Sequence, residues 1–209
     1  MKLAVVAANG KVGRLIVQEA TDRGIDVTAI VRSENKTAAQ SVLEKDLFDL
    51  TKEDVKDFDV IIDAFGIWAE DSLEQHTASV QHLADLVENT DKRLLVVGGA
   101  GSLYLNPEHS LQLYQSENFP EAFKPLAAAM AESLAALRKR DNVKWTYVSP
   151  AIDFRPEGEK TGDYVVAGEE LTLNAKDESI ISYADYAKAM INIALEENYV
   201  GQRISVFQK

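Results

Sequence analysis

The chain has 209 residues, 46% of them apolar, with 22 Lys plus Arg against 34 Asp plus Glu and a formal charge of -12. That is enough for one substantial core, and the charge disfavours nucleic acid and anionic membranes as partners. There is no cysteine, which excludes disulfides, thiolate catalysis and cysteine metal sites, and His76, His82 and His109 have no metal-like spacing.

The first thirteen residues, MKLAVVAANGKVG, read as a buried strand (Leu3 to Ala8) turning into a helix over 11–24. Gly10 and Gly13 let the backbone turn tightly and approach a diphosphate, and free N–H groups at the helix start face the anion. The stagger is G-x-x-G-x-x-G with Ala7 at the first glycine position. The Ala7 methyl narrows the space beside a ligand and is tolerated if the backbone keeps a negative φ.

Ile25 to Arg32 is β-branched and follows Gly24, as a buried parallel strand does. Ser41 to Asp49 holds a short strand, Thr51 and Asp54 have capping-box spacing, and Asp59 to Gly66 is a fourth strand. Residues 70–90 set Leu73, Val80, Leu83, Ala84 and Val87 on one helical stripe. His76 and His82, six apart, fall on different faces as surface or edge side chains. RLLVVGGAGS is a fifth strand ending in small residues. The 102–120 stretch lacks periodicity and is long enough to be a lid.

PEAFKPLAAAMAESLAALRKR is helical, with a basic end suited to the C-terminal dipole. NVKWTYVSP is a sixth strand, TGDYVVAGEELTLN a hairpin turning at Gly168, and 182–197 a helix capped by Ser182 and Asp185; QRISVF closes the chain. Alternating strands and helices predict a doubly wound, mostly parallel α/β sheet with its ligand at the C-terminal strand ends, and a small C-terminal hairpin and helix on the substrate side. No linker or repeat divides the chain, so one domain over 1–209 is expected, with substrate-side elements near 102–120 and 151–185, as a monomer or weak homodimer. The longest apolar runs fall short of a membrane span, and the run after Lys2 is too short for a secretory signal. The expected location is cytoplasmic.

AANGKVG, VVGGAGSLY, FPEAFKPLAAAMAESLAALR, VKWTYVSPA, GEKTGDY and SIISYADYAKAM together resemble the NADH-flavin reductase group of atypical short-chain dehydrogenase/reductases, relatives of the NmrA-like and biliverdin-reductase-B-like proteins. The resemblance covers nearly the whole chain and implies an NAD(P)-binding Rossmann fold. It also implies that Asn9, Lys11 and Val12 line the diphosphate with Gly10 and Gly13, and that Arg32 sits at the adenosine 2′ position. Asp46 and Leu47 would flank the adenine, Ala64, Phe65 and Gly66 would run under its ribose, and Gly98, Gly99 and Ala100 would approach the nicotinamide. Pro150, Ala151 and Ile152 would support that ring. A guanidinium at the end of this strand suits a 2′-phosphate, whereas NAD sites place a carboxylate there. NADP(H) is therefore favoured over NAD(H), with Glu34 two residues on pulling the other way.

The chain departs from the wider superfamily in its catalytic groups. Where a serine and a Tyr-x-x-x-Lys transfer the proton, it has Gly99, Lys124 and Ala128. Losing an acid or base worth roughly 3–5 kcal/mol of barrier disables carbonyl reduction, epimerisation or dehydration. Reduction of a flavin or quinone needs only two flat rings held together. The expected function is an NAD(P)H-dependent reductase passing hydride to such an acceptor, with flavin as substrate and not as a tightly held cofactor. Trp68, Tyr104, Phe119 and Phe154, with Tyr114 beside them, are candidates for the acceptor pocket. Lys124 is a candidate for orienting the nicotinamide ribose or an anionic acceptor, and Ser102 for a turn. The same missing groups fit a non-catalytic NmrA-like sensor whose NADP(H)-bound shape is read by a protein partner.

Overall fold

Apolar runs with no polar alternation fold here as strands covered on both faces. In the computed structural model, which describes residues 1–209, the order is β1 (Lys2–Val6), α1 (Lys11–Asp22), β2 (Asp26–Val31), β3 (Ser41–Glu44), β4 (Val60–Asp63), α2 (Gln75–Val87) and β5 (Arg93–Val97). There follow α3 (Lys124–Leu137), β6 (Lys144–Ser149), β7 (Asp153–Arg155), β8 (Tyr164–Ala167), β9 (Ile180–Ser182), α4 (Tyr183–Leu195) and β10 (Gln202–Gln208). Eight strands form one sheet in the order β3-β2-β1-β4-β5-β6-β10-β8, and β7 and β9 pair separately. Every neighbour in the large sheet is parallel except β8, which runs antiparallel to β10.

The two-residue alternation of β1 sorts the core. Leu3 and Val5 pack with Ile16, Val17 and Ala20 of α1 and Met190 and Ile191 of α4. Ala4 and Val6 pack with Val80 and Leu83 of α2 and Leu134 and Leu137 of α3. Helices thus cover both faces, as in a Rossmann-like doubly wound fold. The chain crosses from β3 to β4 over β2 and β1, so the winding reverses between β1 and β4, the point where a doubly wound sheet leaves a crevice at its C-terminal strand ends.

Several local expectations change. The first helix stops at Asp22 because Gly24, at φ 68, takes the left-handed turn that ends it. Thr51 and Asp54 do bond reciprocally, but they cap turns and no helix follows. The 161–174 stretch is not a hairpin. β8 takes β10 as its partner, and the residues after Gly168 are captured by Tyr104, whose N–H donates to the Glu169 carbonyl at 2.9 Å while its own carbonyl accepts from Leu171 at 2.8 Å. That capture also fixes the start of the 102–120 loop as a wall, not a free lid. The basic residues after α3 lie beyond its last turn and form ion pairs, Arg138 with Glu169 and Arg140 with Asp85. The helix whose C-terminal end a cation does cap is α4, where buried Arg93 donates to the carbonyls of Ile193 at 3.1 Å and Ala194 at 3.2 Å. No helix is long and apolar enough to cross a membrane.

Candidate functional site

The crevice is built from the loops that follow β1, β2, β4, β5 and β6, and backbone hydrogen bonds hold them in register: Ala8 to Ile30, Ala64 to Val6 and Gly98 to Val148, at 3.2, 3.1 and 2.9 Å. Gly10 caps α1 in extended conformation without any side-chain hydrogen bond, and the first intrahelical bond runs from Arg14 N–H to the Gly10 carbonyl at 2.9 Å. The N–H groups of Lys11, Val12 and Gly13 are left for an anion. A Cβ on Gly13 would lie 2.9 Å from the Ala7 oxygen and from the Ala8 backbone, so only glycine lets α1 approach β1 this closely.

Ala7 itself has φ 55, not the negative value its methyl favours. The first position of the motif keeps its left-handed turn although its glycine is gone, and alanine pays roughly 1–2 kcal/mol there. Ala7→Gly is therefore expected to raise stability by about 0.5–1 kcal/mol after the larger unfolded-state entropy of glycine is subtracted, measurable by urea denaturation.

Asn9 points sideways. Its amide donates to the Glu34 carbonyl at 3.0 Å and its oxygen accepts from Lys36 N–H at 2.8 Å, which staples the glycine turn to the loop after β2. Arg32 at the start of that loop is exposed. Asp46 spends its carboxylate on the Phe48 N–H at 2.9 Å, and Leu47 is buried in the core on the α2 and α3 side. Phe48, which the sequence reading passed over, remains 40% exposed, edge-on to Phe65 at 6.3 Å. Phe65 also meets His76. His76 is buried, not on the surface, because its Nε2 donates to the Ile67 carbonyl at 3.0 Å and fixes the loop carrying Ala64, Phe65 and Gly66. Burial lowers its pKa and favours the neutral ring.

Two features under this floor were not read from sequence. Asp63 ends β4 with 2% exposure, beside Val6 and Val96 in the sheet. One oxygen accepts from Phe65 N–H at 2.9 Å, no cation offsets its charge, and burial pushes its pKa up to about 7. Tyr147, fully buried on β6, accepts from Gly99 N–H at 3.2 Å and donates to the Met130 carbonyl at 3.3 Å, and burial raises its pKa. A Cβ on Gly98 would lie 2.2 Å from the Tyr147 ring, one on Gly99 2.9 Å from Met130 Sδ and one on Gly101 2.6 Å from Ala127 Cβ. The GGAG stretch therefore lets α3 and β6 close on the loop after β5. Pro150 and Ala151 are buried behind it, and Ile152, 49% exposed, is fixed by its N–H to Ser179 Oγ at 3.0 Å.

At the start of α3 lies a hollow of about 460 Å³ lined by Tyr114, Gln115, Glu121, Lys124, Pro125 and Ala128. Tyr114 N–H donates to the Gly101 carbonyl at 2.9 Å, which joins the hollow to the loop after β5. Lys124 Nζ pairs with Glu121 at 2.5 Å. The four aromatics expected at the acceptor are not gathered here. Trp68 is 71% exposed and Phe119 half-buried. Phe154 packs on Tyr183 and Tyr186 against the α1 and α4 side. Tyr104 stacks on His109 at 4.4 Å, with the Arg203 guanidinium 5.7 Å from its ring. Ser102 is buried, and its carbonyl accepts from Arg203 at 3.1 Å. Ser182 caps α4 by accepting from Asp185 N–H at 3.0 Å, while the Asp185 carboxylate reaches out to Thr161 and Gly162 and pins the 161–162 loop.

The NAD(P)H-binding family model matches residues 7–197. An uncharacterized Bacillus subtilis protein, YwnB, is 40% identical over 209 residues, covering 99% of this chain and 98% of that one. Among solved structures, SP1627 of Streptococcus pneumoniae, described as a proposed NADH-flavin reductase, superposes with a TM-score of 0.98 at 51% identity over 100% of both chains. A Lactobacillus casei protein superposes with a TM-score of 0.88 at 27% identity over 100% of this chain and 99% of that one.

Proposed function

Because the chain belongs to the NAD(P)H-binding family, we propose that it is a reductase that takes hydride from NAD(P)H, with NADP(H) favoured, and delivers it to a flavin, quinone or similar flat acceptor that visits as substrate. The observation that carries this reading is the hollow at the start of α3. Proton-transferring dehydrogenases carry a Tyr-x-x-x-Lys on this helix, where this chain has Lys124 and Ala128, and the one hydroxyl lining the hollow, that of Tyr114, comes from the preceding loop and not from that motif. The description of SP1627 points the same way.

The crevice fits the nucleotide by its own features: three free N–H groups at the start of α1, the Cβ-free contact at Gly13, and a β5 loop that tolerates no side chain at Gly98. Lys11, Val12 and Gly13 would hold the diphosphate, Arg32 the 2′-phosphate, and Phe48 with Asp46 would flank the adenine. Ala64 to Gly66 would floor the ribose, and Gly98 to Ala100 with Pro150 to Ile152 would back the nicotinamide. When bound, NAD(P)H supplies the hydride. The protein's part is to align the rings and exclude water, with Tyr147 and His76 keeping the loops rigid.

The test is anaerobic oxidation of NADPH and NADH with FMN, FAD, riboflavin and a quinone, on wild type and Arg32→Ala. Turnover with NADPH is expected. The variant should raise the NADPH KM by about 10- to 100-fold, the worth of a charge-assisted contact, and change the NADH KM far less. Absence of turnover with every acceptor would overturn the reductase reading, and cofactor binding without turnover would favour the sensor.

A further inference from the structure

Lys124 stands at an electrostatically awkward place. It is the first residue of a 14-residue helix entered from a 3-10 turn over Glu121–Phe123, whose Glu121 carbonyl accepts from its N–H, so its cation belongs to the first helical turn, where the dipole disfavours positive charge. Proline follows it, so the next residue has no N–H. Of the side chains lining the hollow, only Glu121 is acidic, and it holds Lys124 across one turn while itself 84% solvent-exposed. An exposed pair of this kind is weak and exchangeable. The hollow therefore presents a lysine cation at the first turn of a helix, next to the Gly99 to Gly101 loop, in a chain of net charge -12. A site of that sign suits a reacting group that becomes negative.

Resting on the reductase reading, we propose that Lys124 is a catalytic residue that stabilises the anion formed on the acceptor, and that the acceptor class is a flat ring whose two-electron reduction product is anionic, an isoalloxazine above all. A hydride ion reaching N5 of the oxidised isoalloxazine forms the N5–H bond and leaves the donor nicotinamide oxidised. The incoming electron pair places the negative charge over N1 and the C2 carbonyl of the reduced ring. The step balances without a proton, so it is served by a cation at the helix position where the wider superfamily carries its proton-donating tyrosine. Glu121 is the displaceable counter-ion, exchanged for the ring anion as charge develops.

The experiment uses riboflavin, which carries no phosphate, with wild type, Lys124→Gln, Lys124→Arg and Glu121→Gln. Two quantities are read: kcat for riboflavin reduction, and, without any nicotinamide cofactor, the anaerobic Kd of oxidised and reduced riboflavin at a pH where the reduced ring is anionic. Lys124→Gln should lower kcat about 10-fold or more and weaken reduced riboflavin by a similar factor, with oxidised riboflavin little changed, and Lys124→Arg should restore most of both. Glu121→Gln breaks the same ion pair yet should raise kcat about 2- to 5-fold, because it frees the ammonium. Equal losses in Lys124→Gln and Glu121→Gln would make the pair merely structural and overturn the proposal, as would equal weakening of both redox states or a Lys124→Gln variant indistinguishable from wild type. A wild type that neither reduces nor binds riboflavin removes the reductase reading itself. Turnover that ignores Lys124 removes only this inference.

Discussion

Replacing Asp63 by Asn should make the variant gain on wild type by about 4 kcal/mol between pH 4 and pH 8, with almost all of the change complete by pH 7. The carboxyl is 2% exposed, bonded only to Phe65 N–H, and its pKa is raised from 3.8 to about 7 by burial. Below pH 3.8 the group is neutral folded and unfolded, and it does not affect stability. Between 3.8 and about 7 the unfolded chain ionises while the folded chain holds its proton. The folded state then binds more protons, and stability falls as pH rises. Above about 7 both forms are ionised and the penalty is constant. Asn keeps the acceptor for Phe65 and cannot ionise, so the pH-dependent part vanishes, while groups common to both proteins cancel in the difference. Urea melts at a series of pH values measure it directly. A difference that does not vary with pH would mean that solvent or a cation reaches Asp63 in solution.

Why wild type keeps a lone carboxyl beneath the crevice follows from place. Asp63 pairs in the sheet with Val6, one residue before the glycine turn, and its bond to Phe65 shapes the loop proposed to floor the ribose. The residue departs from the rule that buried charges are paired, and such departures concentrate at functional sites.

The winding was legible because strands buried on both faces appear as contiguous apolar runs, and because Gly10 and Gly13 mark a strand-to-helix turn that packs too closely at Gly13 for a Cβ. What escaped depended on partners distant in sequence. His76 reads as a polar helical residue and is buried only because Ile67, in the preceding loop, offers a carbonyl. Phe154 and Tyr104 look alike as loop aromatics, yet one packs on Tyr183 and Tyr186 and the other is held between His109 and Arg203. Asp63 is hidden in DVIIDAFG because burial, not residue type, sets its pKa. The negative φ asked of Ala7 failed because the turn's geometry is set by Gly13 packing on Ala7 and Ala8 and by the Gly10 N–H to the Ala7 carbonyl, and the alanine bears the strain.

Glu169→Gln should cost about 3–5 kcal/mol of stability, and Arg203→Met, which breaks the same ion pair from the other side, only about 1–2 kcal/mol. The asymmetry follows from burial. The Arg203 side chain is 0% exposed and donates to the Glu169 carboxylate at 2.5 and 2.8 Å. An arginine stays protonated, so removing Glu169's charge strands a buried cation on carbonyls and hydroxyls alone, Ser102 and Ser149 among them. Removing Arg203 leaves a carboxylate that is 27% exposed and still bonded twice by Arg138, at 2.7 and 2.8 Å. The double variant should recover most of the Glu169→Gln loss, since no uncompensated charge remains buried. Both single variants should also release the 102–113 wall beside the hollow, read as faster amide exchange at Tyr104 and Leu113, whose N–H groups bond to Glu169 and Leu103. Equal costs for the two substitutions would show that Arg203 is not left as an uncompensated buried charge when Glu169 is neutralised.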